Sequence, residues 1–230
     1  MKTIGLIGGM SWESSAEYYR LINEAVKERL GGLHSARTFM FSVDFAEIEE
    51  LQRESHWNEA AGQLADAARR LELGGADFVV LCTNTMHRVA DEIAQRIEIP
   101  LLHIADATAE EINERHIGTV GLLGTRYTME QDFYRGRLVE RHGLNVLVPA
   151  EEGRAVVHDV IYDELVLGRV EEKSRAAYRL IMADLVSQGA EAIILGCTEI
   201  GLLVGADDAA VPLFDTTRIH AEKAVELALA

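Results

Sequence analysis

Only two cysteines, Cys82 and Cys197, occur in 230 residues. That excludes the disulfide framework on which small secreted domains depend and points to a reducing, cytoplasmic setting. Lysine is nearly as scarce. Lys2, Lys27, Lys173 and Lys223 are the whole complement, and none stands in a loop that could form a site, so pyridoxal chemistry lacks its Schiff-base lysine. No run of about 18 apolar residues exists, so no transmembrane helix is expected. The segment Thr3–Gly8 is too short and too glycine-broken for a cleaved leader. Positive charge is in deficit: 22 Lys and Arg face 38 Asp and Glu, a formal net charge of -16. Nucleic acid and anionic membranes both require a basic patch, so neither is expected as a partner. An anionic substrate would need a locally positive or amide-rich pocket. Cys82 and His87 could share a metal ion, but no second cluster at ligand spacing joins them. His87 reads instead as a helix-turn residue or a hydrogen bonder behind a site. No metal and no cofactor are expected.

What is present is a regular alternation. Strand candidates are Thr3–Ile7, Thr38–Val43, Phe78–Leu81, Leu101–Ile104, Thr119–Leu123, Val146–Val148, Ala192–Leu195 and Val211–Phe214. Helix-like segments fall between them: Glu13–Leu30, Asn58–Leu73, Met129–His142, Val156–Leu167 and Ser174–Gln188. Short connections between strand and helix mean βαβ units and parallel sheets. Continuous Val/Ile/Leu runs mark strands buried on both faces.

The chain also repeats itself. Ala76–Thr85 (ADFVVLCTNT) reappears as Ala190–Glu199 (AEAIILGCTE), 114 positions later. Ile4–Ser11 is echoed from Val120, and Pro100–Leu102 by Pro212–Phe214. The expected fold is therefore α/β with two pseudo-symmetric lobes, each a mainly parallel sheet flanked by helices. Lobe 1 is expected to span 1–104 plus 215–230, and lobe 2 to span 105–214. Open α/β sheets bind ligands beyond the carboxyl ends of their strands. The loops Gly8–Trp12, Cys82–His87, Gly124–Thr128 and Gly196–Ile200 are thus expected around one active site between the lobes.

Aligned without a gap, the repeat sets Cys197 opposite Thr83 and Gly196 opposite Cys82. Cys197, at a strand end and helix start, reads as a nucleophile or proton-transferring base whose thiolate a helix dipole would favour. Thr83–Asn84–Thr85 and Thr198–Glu199 read as helix caps, or as short polar groups that can hold a carboxylate. Asp106 and Asp215 read as caps. Gly8–Gly9–Met10–Ser11 reads equally as a tight turn or an anion-binding loop, and Trp12, Tyr18 and Tyr19 read as packing residues.

Three motifs in order, Gly8–Ser14 (GGMSWES), Cys82–His87 (CTNTMH) and Gly196–Ile200 (GCTEI), resemble the cofactor-independent aspartate/glutamate racemase family across essentially the whole chain. The likeness is closest to its L-aspartate/glutamate-specific, broad-specificity branch of enteric bacteria. It implies a homodimer, a small acidic amino acid as substrate, and two bases working on opposite faces of the α-carbon. It implies Asn84, Thr85 and Thr198 as ligands of the α-carboxylate. Met10 and Ser11 are expected on the site floor, Glu199 beside Thr198, and Gln52 as first choice for the distal carboxylate, ahead of Arg53, Arg126 and His158.

The chain departs from the family pattern at one place. Cysteine normally precedes Asn–Thr directly, whereas here Thr83 intervenes. Neighbouring side chains of an extended segment face opposite ways, so Thr83 is expected in the first-base position, with Cys82 the less favoured candidate, turned into the lobe. Cys197 is then the principal base for the L-isomer. Alternatives are a same-fold isomerase of hydantoins or maleate, a weakened amino-acid-binding protein, and a redox pair of Cys82 with Cys197.

Overall fold

The computed structural model describes all residues 1–230. The chain folds as two compact units, Met1–Ile104 with His220–Ala230, and Ala105–Ile219. In the first run β1 (Ile4–Gly8), α1 (Trp12–Leu30), β2 (Thr38–Ser42), α2 (Phe45–Arg53), α3 (Trp57–Leu73) and β3 (Phe78–Leu81). A 3-10 turn (Thr85–Val89), α4 (Ala90–Ala94) and β4 (Leu101–Leu102) complete it. Then come α5 (Ile104–Glu114), β5 (Thr119–Gly124), α6 (Arg126–Glu130), α7 (Arg135–His142), β6 (Asn145–Leu147) and α8 (Glu151–Asp163). They are followed by α9 (Glu172–Ser187), β7 (Ala192–Gly196), α10 (Ile200–Leu203), β8 (Leu213–Asp215) and α11 (Thr216–Leu229).

Each unit holds one four-stranded sheet with all neighbours parallel, in the orders β2-β1-β3-β4 and β6-β5-β7-β8. The two orders correspond strand for strand, so the doubling read from the sequence is a doubling of topology. Helices cover the sheets, and β3 shows how. Phe78, Val80 and Cys82 enter the cluster built with α1 and α11. Val79 and Leu81 enter the opposite cluster built with α3. This is the period-two alternation of a strand buried on both faces.

Hydrogen-bond register settles how the repeats align. Ile7 of β1 pairs with Leu81, and Leu123 of β5 with Leu195. Since Ile7 and Leu123 are equivalent, so are Leu81 and Leu195, and the next residues follow as Cys82 with Gly196 and Thr83 with Cys197. A side chain at Gly196 would meet the Leu123 carbonyl oxygen at 2.8 Å and Leu122 Cδ1 at 3.0 Å. The second unit therefore has no room for a side chain where the first carries the Cys82 thiol.

Two expected helices differ. Met129–His142 is interrupted: α6 ends at Glu130, Gln131 turns extended, and α7 starts at Arg135. The break leaves Tyr134 fully buried. Val156–Leu167 begins five residues earlier as α8 and closes as a separate 3-10 turn, Leu165–Leu167. Asp106 does not cap a helix. Burial opposes its charge, but bonds from Arg137 (2.7 and 2.6 Å) and His142 (2.8 Å) outweigh burial and hold its carboxyl below the usual range. Asp215 does cap, accepting from the Thr217 and Arg218 N–H groups at 2.9 and 3.2 Å.

Candidate active site

The loop after β1 is a packed turn. Gly9 has φ 97°, and a side chain there would lie 2.1 Å from the Val43 carbonyl oxygen, so only glycine fits. Its N–H donates to Ser15 Oγ at 2.7 Å, and Ser15 Oγ–H donates to the Ser11 carbonyl at 2.8 Å. Ser11 caps α1, accepting from the Ser14 N–H at 3.3 Å. The loop's own hydroxyls take up amides that an anion would use, so the turn reading of this loop has the stronger support. Met10 is buried in the α3-side cluster. Trp12 is 69 % exposed and Tyr19 also faces solvent, contrary to a packing role; Tyr18 alone of the three is buried.

Just beyond β3 the backbone N–H and C=O of Cys82 and Thr83 are all held. Cys82 N–H donates to Ile7 O at 2.9 Å and Thr83 N–H to Leu81 O at 2.8 Å. Ser14 Oγ–H donates to Cys82 O at 3.2 Å, and His87 Nδ1 bonds Thr83 O at 2.6 Å. Cys82 lies wholly in the α1-side cluster, and burial pushes its thiol pKa well up. Thr83, Asn84 and Thr85 are buried too. Asn84 has helical backbone angles and makes no capping bond, so it does not cap. Gln52, on α2, is buried with its amide 3.0 Å from Met86 Sδ. Arg53 lies out on the same helix, near Glu49 and Glu50.

In the second unit, β7 delivers Cys197, Thr198 and Glu199 to a short turn before α10. Cys197 S–H donates to Glu199 Oε2 at 3.0 Å, and Thr198 Oγ1–H donates to the same oxygen at 2.5 Å. Burial, the Glu199 charge and the bond to Glu199 raise the Cys197 thiol well above its ordinary range, against the Glu199 and Thr198 backbone amides, which favour the thiolate. The expectation of a dipole-favoured thiolate is therefore reversed. α10 has four residues, too few for a substantial dipole, and a carboxylate sits on the sulfur. The sequence carries Glu199 two positions from Cys197, but nothing in that spacing says the carboxylate turns back onto the thiol.

Of the distal candidates, Arg126 lines a surface cleft of about 380 Å³ with Glu130, Glu151, Arg154 and Ala155, where Arg154 pairs with Glu130 at 2.8 Å. His158 sits beside it, Nδ1 accepting from the Arg126 N–H at 3.3 Å, its pKa lowered by burial and by the Arg126 charge. Both cysteines are free thiols. No group of three or more His, Cys, Asp or Glu side chains could hold a metal ion.

Sequence reasoning missed one cluster in the first unit. His87, His103 and His220 are buried, with ring centroids 4.6 Å (His87–His103) and 5.7 Å (His87–His220) apart. Tyr18 Oη bonds His220 Nδ1 at 2.8 Å, and His220 Nε2 bonds Leu102 O at 3.0 Å. No local pattern links residues 18, 87, 103 and 220.

A model of the family "Asp/Glu/Hydantoin racemase" matches residues 7–224. A Bacillus subtilis protein named broad specificity amino-acid racemase RacX is 27 % identical over 173 residues, 75 % of this chain and 74 % of that one. A crystal structure from Yersinia pestis, assigned to Asp/Glu racemases, is 57 % identical with a TM-score of 0.95 over 100 % of both chains. That of an aspartate racemase homologue from Pyrococcus horikoshii is 37 % identical with a TM-score of 0.87, again over 100 % of both.

Proposed function

Because the chain belongs to the Asp/Glu/hydantoin racemase family, we propose that it racemises an acidic amino acid, aspartate or glutamate, without a cofactor. Cys197 takes the α-proton of the L-isomer, and Thr83 serves the opposite face. The single observation that supports this most is the sheet register, which makes Thr83, and not Cys82, the counterpart of Cys197.

Asn84, Thr85 and Thr198 supply short polar groups for the α-carboxylate. Met10, Ser11 and Gln52 complete the substrate contacts. Glu199 is negative, so any contact it makes with substrate is with the ammonium. Its oxygen also accepts the thiol proton, so Cys197 becomes a base by passing that proton to Glu199 Oε2. The chain works in the cytoplasm as a homodimer.

A threonine hydroxyl is a far weaker acid than a thiol of free pKa about 8.5, so the Thr83 side is slow. Enantiomers have equal free energy, so catalytic efficiency is equal in both directions, and an L preference shows in α-proton exchange instead of net conversion. NMR of deuterium incorporation from solvent tests this. The L-isomer exchanges faster than the D-isomer, Cys197→Ser loses L-side exchange, and Thr83→Cys raises D-side exchange. Equal exchange of both isomers by the parent, or L-side exchange surviving Cys197→Ser, refutes the assignment. Faster turnover of hydantoins or maleate than of amino acids would move the chain to a same-fold isomerase.

A further inference from the structure

We propose that His87 is a positioning residue for the Thr83 side of the reaction, acting through the peptide group that joins Thr83 to Asn84. The inference rests on the racemase reading above.

The hydrogen bonds assign the proton on the ring. Ile104 N–H lies 3.2 Å from His87 Nε2, and a backbone amide can only donate, so Nε2 is the acceptor. The ring proton is therefore on Nδ1, which faces the Thr83 carbonyl oxygen at 2.6 Å, a group that can only accept. His87 is a neutral imidazole with both nitrogens committed. The neighbouring ring has the opposite tautomer. His220 Nε2 faces the Leu102 carbonyl oxygen and so donates; burial lowers its pKa to about 4, so at neutral pH Nδ1 carries no proton and accepts from the Tyr18 hydroxyl. His220 thus stays uncharged at neutral pH, and the His103 and His220 rings pack against the His87 imidazole.

The consequence lies on the other side of the peptide. In a planar trans peptide the C=O and the following N–H point in opposite directions. Anchoring the Thr83 carbonyl on His87 aims the Asn84 N–H away from the histidine cluster. It also fixes the carbonyl end of Thr83, next to the Cα that carries the Oγ1 side chain. The other end is already held by the bond from Thr83 N–H to Leu81 O at 2.8 Å. The Cys197 carbonyl accepts instead from the Ile200 N–H of its own turn at 3.2 Å, and no histidine holds it. His87 therefore serves one face of the substrate and not the other.

Two substitutions divide its roles. His87→Asn keeps an N–H where Nδ1 was and loses the acceptor for Ile104. His87→Gln keeps an acceptor where Nε2 was and loses the donor to Thr83. Solvent deuterium exchange into L- and D-aspartate is measured for both in the parent and in the Thr83→Cys chain, where the D-side signal is largest. His87→Gln lowers D-side exchange about tenfold or more, in keeping with loss of a buried hydrogen bond, and leaves L-side exchange within about twofold. His87→Asn keeps D-side exchange within about threefold. Equal losses on both sides, equal damage from Asn and Gln, or undiminished D-side exchange in His87→Gln overturns the inference while leaving the racemase reading standing. A parent that exchanges neither isomer, or a Thr83→Cys chain without D-side exchange, removes the reading of Thr83 and the inference with it.

Discussion

Replacing Glu199 with glutamine should lower the pKa of Cys197. In the parent the thiol donates to a carboxylate oxygen at 3.0 Å in a buried site. Ionising the sulfur there sets two like charges at that separation. At an effective dielectric of about 20 their repulsion is about 5.5 kcal/mol. The carboxamide removes that repulsion and can turn its NH2 toward the sulfur as a donor to the thiolate. Burial, the largest cause of the raised pKa, remains, so the thiol still titrates above a free cysteine. Relaxation and water entry reduce the effect, and a fall in the titration midpoint is expected. The assay is the pH dependence of alkylation by iodoacetamide in a Cys82→Ala background, with ultraviolet thiolate absorbance as a second readout. A midpoint that stays or rises would show that Glu199 does not control the sulfur, and the proton path from Cys197 to Glu199 Oε2 would be lost with it.

Two further outcomes follow from the first unit. His220 has a folded pKa of about 4 against an ordinary 6.5, so between these values the unfolded chain binds the proton and the folded one does not. Stability is therefore full above about pH 6.5, falls as pH drops toward 4, and levels off below. The loss is about 3 kcal/mol at about 1.4 kcal/mol per unit. Urea unfolding of the parent and His220→Gln at pH 7 and pH 4 reads the difference; an equal pH slope in both refutes it. Cys82→Ala should cost about 1 kcal/mol through lost core packing while leaving both exchange rates unchanged, and loss of D-side exchange in a chain that melts normally would return Cys82 to the catalytic candidates.

Much of the fold was legible because it is local and periodic. All eight strand segments fall within a residue or two of their expected places, since apolar runs bounded by turns need no distant information. One of the two poorly read helices is instructive. Met129–His142 carries helical periodicity throughout, yet the chain breaks at Gln131 and buries Tyr134. Tertiary packing overrides propensity there. At the site, short motifs singled out Thr83, Asn84, Thr198 and Cys197, but not what their side chains touch.

The sequence by itself determined the doubling and the one-residue offset between Cys82 and Cys197. Both are matters of order along the chain, and strand alternation translates order directly into facing. Only the tertiary structure decided the chemistry of those positions. Whether Cys197 rests as thiol or thiolate depends on where the Glu199 carboxylate turns, since a charge a few ångströms away in a buried site outweighs a short helix. The neutral tautomer of His87 likewise depends on Ile104 arriving from a separate segment, and such long-range placement leaves no period to read.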